Sequence, residues 1–275
     1  MRSLVTVLAL VLVSIARAAV AAEGFDVVIR NGHIMDGTGS PWYSGDIGVR
    51  NGKIAALGRL QGATAKTVID AKNLLVTPGF IDMLGQSELT ILVEPHLPSK
   101  IFQGITTEIT GEGNSVAPIN ERTIAADRPG YEHLKINPDW RTLAQYFARL
   151  ERQGLGINLA TYVGATSVRR IVIGDDDRAP NAQELEQMKQ LVAQAMRDGA
   201  FGVSTALQYA PAPYASTEEL IALASVAGQY GGIYSTHMRS EQNAIMHSLD
   251  ETIRIGREAH VPVEIWHLKT AGKSN

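Results

Sequence analysis

The sequence predicts an α/β fold: a TIM-type (β/α)8 barrel, with about six of its eight strands present, following a small amino-terminal β unit. Three observations predict it. From Pro78 onward, apolar strand-like runs alternate with amphipathic helical patterns, as in parallel βα units. The last three strand runs begin about 30 residues apart, the length of one such unit. Polar side chains able to do chemistry stand at the carboxyl ends of several strands, where a barrel gathers them; an open doubly wound sheet would use one switch point.

The first segment precedes the fold. Arg2 is followed by an apolar stretch from Leu4 to Val13, about ten residues where a bilayer span needs roughly twenty. Ala16-Arg17-Ala18 and Ala19-Val20-Ala21 both fit the small-x-small rule of signal peptidase. We read residues 1–22 as a signal peptide cleaved after Ala18 or Ala21, and the protein as periplasmic or secreted without a stable membrane anchor. An uncleaved anchor is the alternative. The chain has no cysteine, which excludes a lipoprotein anchor, disulfides and any Cys metal ligand or nucleophile.

Residues 23–77 read as β structure. Phe25–Arg30 leads into Asn31-Gly32, and Asp46–Arg50 leads into Asn51-Gly52 and Lys53–Leu57. Asn-Gly between strand-like runs is a strong hairpin signal, because a type I′ turn needs φ > 0 at both central residues. With Lys66–Asp70 and Leu74–Thr77, a small antiparallel sheet is expected. Residues 78–275 form the incomplete barrel. Its strands are expected near 79–83, 105–110, 157–163, 202–206, 232–237 and 262–267. Asn181 with Glu184, and Ser216 with Glu219, mark capping boxes at two helix starts. A further helix is expected from about Glu241 to Ala259. The chain reaches Asn275 just past the last of these strands, so we expect a truncated gene product that is inactive alone.

Charge narrows the function. Net charge is −3, with no Lys/Arg block, so nucleic-acid binding has no electrostatic support. There is no G-x-G-x-x-G, P-loop or G-x-S-x-G. His237 and His267 end adjacent strand runs, and two imidazoles converging from neighbouring strand ends suit a borderline metal such as zinc. Glu112, between Gly111 and Gly113 at another strand end, completes a candidate His2Glu site with a position left for water. The alternative for Glu112 is a helix cap or an ion pair. Arg239 and Lys269 each lie two residues past a candidate ligand and are placed to hold a substrate carboxylate, or else to form ordinary ion pairs. Tyr209 offers a hydroxyl from a Pro-rich loop, or simply packs it. The other histidines lack such context.

Together these segments resemble the N-acyl-D-amino-acid deacylases of the amidohydrolase superfamily. The resemblance rests on Leu75–Asp82, Gly104–Thr107, Ala117-Pro118, Gly202–Ala206 with the loop to Tyr214, Thr236–Glu241 and His267–Lys269. It implies a (β/α)8 barrel beside a β-sandwich, with residues 23–77 supplying part of the sandwich. It also implies zinc-dependent hydrolysis of an N-acyl-D-amino acid. His237 and His267 match metal histidines, and Lys269 and Tyr209 match positions that bind the substrate carboxylate. The catalytic Asp of the family would fall past Asn275. This chain departs from the pattern in four places. Leu84 and Gln86 stand where the first strand normally carries His-x-His, Glu112 replaces a metal-binding Cys, and Ala165 follows Gly164 where a His is common. We therefore expect one zinc per chain rather than two, and a small-molecule substrate with a free carboxylate. An amidohydrolase acting on a cyclic amide or dipeptide, and a non-catalytic ligand-binding relative that has lost its metal, stay open as alternatives.

Overall fold

The computed structural model describes residues 24–272, and the leader read over residues 1–22 lies outside them. The chain divides into two compact units, one ending at Pro78 and the other beginning at Gly79.

The first unit is a single five-stranded sheet of β1 (Phe25–Ile34), β2 (Tyr43–Arg50), β3 (Lys53–Gly58), β4 (Ala65–Asp70) and β5 (Leu75–Val76). The two Asn-Gly pairs behave differently. Asn51 and Gly52 have φ of 52° and 70° and close the β2–β3 hairpin. Asn31-Gly32 is not a turn: β1 runs through it, and the register with β2 shifts between Ile29 and Gly32, a β-bulge. Asn31 reaches φ 62° because two carboxylates hold it there. Its backbone N–H donates to Asp46 at 3.0 Å and its side-chain amide to Asp70 at 2.8 Å. The sheet is also mixed, not antiparallel as expected, since β4 and β5 both pair parallel to β1.

In the second unit β6 (Phe80–Asp82), β7 (Ile105–Thr110) and β8 (Asn158–Thr161) form one parallel sheet. A second contains β9 (Val163–Gly164), β10 (Gly202–Ala206), β11 (Ile233–His237) and β12 (Val263–Ile265). The run expected over 157–163 is thus bent at Tyr162. Its first half pairs with β7 and its second with β10. Hydrogen bonds from Tyr162 N–H to Thr110 (2.9 Å) and from Phe201 N–H to Thr161 (2.8 Å) carry the ladder across the bend. The strands therefore follow one another in chain order as an arc. The arc is not closed: among the described residues β6 pairs only with β7, and β12 only with β11.

The helices are α1 (Thr90–Val93), α2 (Pro98–Ile101), α3 (Glu121–Ala126), α4 (Arg128–Leu134), α5 (Leu143–Gln153), α6 (Ala165–Val172), α7 (Ala182–Arg197), α8 (Thr217–Gln229) and α9 (Ile245–Ala259). α7 buries Met188, Val192, Ala195 and Met196 in a core shared with Val203, Leu220, Leu223 and Tyr234. Each large side chain there contributes about 1.5–3 kcal/mol. A smaller cluster joins Ile109, Tyr162 and Trp266 to Leu84, Ala160 and Ile233. The Asn181–Glu184 capping box is reciprocal. The second is half-made. Ser216 accepts from the Glu219 N–H, but the Glu219 carboxylate turns to Arg169 at 2.7 Å in a fully buried pair. The last helix starts at Ile245, not near Glu241, and the preceding turn is tied back to it by Ser240 N–H donating to Ser248 Oγ at 2.9 Å.

Candidate metal centre

Glu112 is built into place by its neighbours. Gly111 and Gly113 have φ of 95° and 67°, which a side chain rarely adopts. A Cβ on Gly113 would also lie 2.6 Å from the backbone nitrogen of Ala206. One hydroxyl latches both glycines: Gly113 N–H donates to Ser204 Oγ at 3.1 Å, and that oxygen donates to the Gly111 carbonyl. The chain thereby bulges at the end of β7 and turns Glu112 toward the ends of β11 and β12.

His237 closes β11 with its side chain buried. His267 lies just past β12 with φ 38°, a left-handed conformation costing about 1–2 kcal/mol in a non-glycine residue. Such strain concentrates at functional sites. The ring centroids of His237 and His267 are 4.5 Å apart at 81°. His237 Nδ1 lies 3.0 Å from Glu112 Oε1, and His267 Nε2 lies 3.5 Å from the same oxygen. One ligand atom from each of the three residues lies within 4.8 Å of the others.

The donor set fits a divalent transition metal. Two imidazole nitrogens and one carboxylate oxygen match zinc's preferences, and tetrahedral bonds of about 2.0–2.2 Å place ligand atoms roughly 3.3–3.6 Å apart. The residues at the missing His-x-His positions serve other ends. Leu84 packs in the Ile109–Tyr162–Trp266 cluster, and Gln86 donates to Glu112 Oε2 at 3.0 Å. Glu112 thus has one oxygen held by an amide and the other facing both histidines.

The remaining candidates divide. Lys269 reaches Glu241 at 2.6 Å while 51% of its side chain faces solvent. Tyr209 is exposed, its ring centroid 5.3 Å from that of His237. Arg239 takes the ion-pair alternative. It donates from Nε and Nη2 to Glu251 and also to the carbonyls of Pro213 and Ala215. It pins the Tyr209 loop to α9.

Two carboxylates were not singled out from the sequence. Glu241 lies 3.1 Å from His267 Nδ1 and 3.8 Å from His237 Nε2. Burial pushes its carboxyl up, but the Lys269 hydrogen bond and the charges of His237, Lys269 and His267 outweigh burial and hold it below the usual range. Burial raises Glu88 to about 7, aided by the charges of Glu108 and Glu112. Beyond it, Lys100 bridges Asp82 at 2.6 Å and Glu108 at 3.3 Å. A cleft of about 480 Å³, lined by Asn114, Arg170, Pro211 and Tyr214 among others, opens between the loops that carry Glu112 and Tyr209. Another cleft, about 620 Å³, lies at the amino ends of β7 and β8 by Thr106 and Asn158, at the other end of these strands.

No family model matches the sequence. It is 38% identical over 257 residues to D-aminoacylase of Alcaligenes xylosoxydans xylosoxydans, covering 92% of this chain and 52% of that protein. A crystal structure of D-aminoacylase, described as defining a novel subset of amidohydrolases, superposes with a TM-score of 0.83 at 37% identity, over 91% of this chain and 53% of the other. N-acyl-D-glutamate deacylase from Bordetella bronchiseptica, solved with zinc and a phosphonate mimic of the tetrahedral intermediate, superposes with a TM-score of 0.80 at 35% identity, over 88% and 51%. The chain spans about half the length of the curated relatives it matches.

Proposed function

The chain belongs to the N-acyl-D-amino-acid deacylase family of amidohydrolases, and from that premise we propose that the whole protein hydrolyses the amide C–N bond of N-acyl-D-amino acids. Water adds across that bond, giving a carboxylate and a free D-amino acid. We propose a single zinc ion, held by Glu112, His237 and His267. The convergence of His237 Nδ1 and His267 Nε2 on one oxygen of Glu112 carries this reading. An ion held by these three residues would supply Lewis acidity toward the acyl carbonyl and would lower the pKa of a bound water.

The chain's own residues prepare that site. Gln86 fixes the rotation of the Glu112 carboxylate. Leu84 is committed to the apolar cluster, so the first strand offers no imidazole to a second ion; this supports one metal rather than two. Lys269 stands beside the histidines with much of its side chain free and takes the substrate carboxylate. Tyr209 flanks His237 and offers its hydroxyl to the same group. Arg239 holds the loop that carries Tyr209. The same premise reads the open strand arc as part of a (β/α)8 barrel, and the amino-terminal sheet as part of a β-sandwich.

Elemental analysis of the whole protein tests the metal. One zinc per chain is expected, with zinc and turnover both lost in His237→Ala and in His267→Ala, since two remaining ligands hold the ion poorly. Full zinc occupancy in His237→Ala would sink the assignment.

A further inference from the structure

Glu241 belongs to neither the ligand trio nor the substrate contacts, yet it faces Lys269 and both histidines. Its Oε1 lies 2.6 Å from Lys269 Nζ, 3.1 Å from His267 Nδ1 and 3.8 Å from His237 Nε2. Glu112 Oε1 faces the other nitrogen of each ring, His237 Nδ1 at 3.0 Å and His267 Nε2 at 3.5 Å. Each imidazole therefore stands between two carboxylates, one at each nitrogen. His237 Nε2 is buried and makes no hydrogen bond. Glu241 is itself only 7% exposed.

We infer that Glu241 is a positioning residue that sets the tautomer of the His267 ligand, an inference that rests on the zinc reading above. A neutral imidazole has one N–H and one lone pair. The lone pair must face the metal, so the N–H must face away from it. Glu241 Oε1, 3.1 Å from His267 Nδ1, is placed to accept an N–H there, which would leave Nε2 of that ring free to ligate. His237 Nε2 lies 3.8 Å from the same oxygen, outside hydrogen-bond reach, so Glu241 acts on that ring only through its charge. Lys269 also lies 3.0 Å from His267 Nδ1, but a lysine donating there would place the ring proton on Nε2 and block ligation. Glu241 tips that competition by drawing Lys269 Nζ to itself at 2.6 Å, closer than Lys269 lies to the ring.

The segment that carries Glu241 is tied on two sides. Ala271 N–H donates to the Glu241 carbonyl at 2.7 Å, and Ser240 N–H donates to Ser248 Oγ on α9 at 2.9 Å. The carboxylate is therefore held by fixed backbone, as an orienting partner must be.

The test is zinc affinity of the whole protein, measured by competition with a chelator. Loss of an orienting partner to a ligand histidine weakens metal binding about 10- to 100-fold. Glu241→Gln should show that loss with its thermal transition retained, and Glu241→Asp should recover part of it. The visible spectrum of the Co²⁺-loaded protein should change in Glu241→Gln. A residue that merely anchors the loop would lower thermal stability and leave zinc affinity and that spectrum unmoved. Unchanged affinity in a Glu241→Gln protein whose wild type holds zinc overturns this inference alone. A wild type that binds no zinc overturns both this and the reading beneath it.

Discussion

Lys269 and Arg239 each lie two residues past a candidate ligand histidine, but their surroundings give them different tasks. Arg239 has both carboxylate oxygens of Glu251 and two backbone carbonyls as acceptors, so its guanidinium has little left to offer a ligand. Lys269 keeps half its side chain in solvent. A charge-assisted hydrogen bond to a substrate carboxylate is worth about 1.5–3 kcal/mol. Lys269→Ala should therefore raise KM for N-acyl-D-amino acids about 10- to 100-fold, and much less for their methyl esters. Equal losses on both would assign Lys269 a structural role. Such distinctions mark the limit of reading at this scale. Glu112, His237 and His267 were legible because strand ends are where a barrel aims its side chains. Glu241 was not, because it sits past a strand end in a non-periodic segment. The available signal was its spacing of four residues from His237, beside the basic residues two positions past each histidine. Gln86 read only as a lost histidine, and its bond to Glu112 appears once both strand ends are in place.

At the scale of elements, the two Asn-Gly pairs show what local pattern decides and what it does not. Both take positive φ at Asn. Asn51 also gives its backbone N–H to a carboxylate, Asp26 at 2.6 Å, but with Gly52 at φ 70° the chain turns back from β2 into β3. Asn31 is claimed from both sides by Asp46 and Asp70 on β2 and β4, so the strand continues through a bulge. Those partners are 15 and 39 residues away in sequence, and no window of local pattern contains them. The parallel pairing of β4 was hidden for the same reason. The bulge at Glu112 is the opposite case, since its two glycines announced it. Gly113→Ala tests that element. Positive φ costs about 1 kcal/mol in alanine relative to glycine, and overpacking against Ala206 adds about 1–3 kcal/mol. A loss of about 2–4 kcal/mol in denaturant unfolding is expected, with weaker zinc binding as Glu112 shifts. Wild-type stability in this variant would show that the backbone yields freely here.

On the scale of the whole molecule, the alternation of strand and helix was readable without closure of the barrel. Each helix packs against its own neighbours: α7 against α8, and α8 against α9 and β11. The rhythm therefore does not depend on how the arc ends. The two edges of that arc do depend on it. β6 and β12 each have one partner among the described residues. In β6, Phe80 and Ile81 are each 57% exposed, and just past β12 Leu268 is 61% exposed. An unpaired strand that also presents apolar side chains is a template for pairing with another chain. Natural edges are blunted with lysine, proline or a bulge. Pro262 precedes β12; β6 is Phe80-Ile81-Asp82, with neither lysine nor proline, and has only a register shift against β7 between Phe80 and Ile81. Residues 24–275 expressed by themselves should therefore self-associate with rising concentration, in a sedimentation-velocity series across the micromolar range. Ile81→Lys, which places a charge on the β6 edge, should shift the distribution back toward monomer. A monodisperse monomer throughout the series would mean that these edges are already protected, and the edge argument would fail.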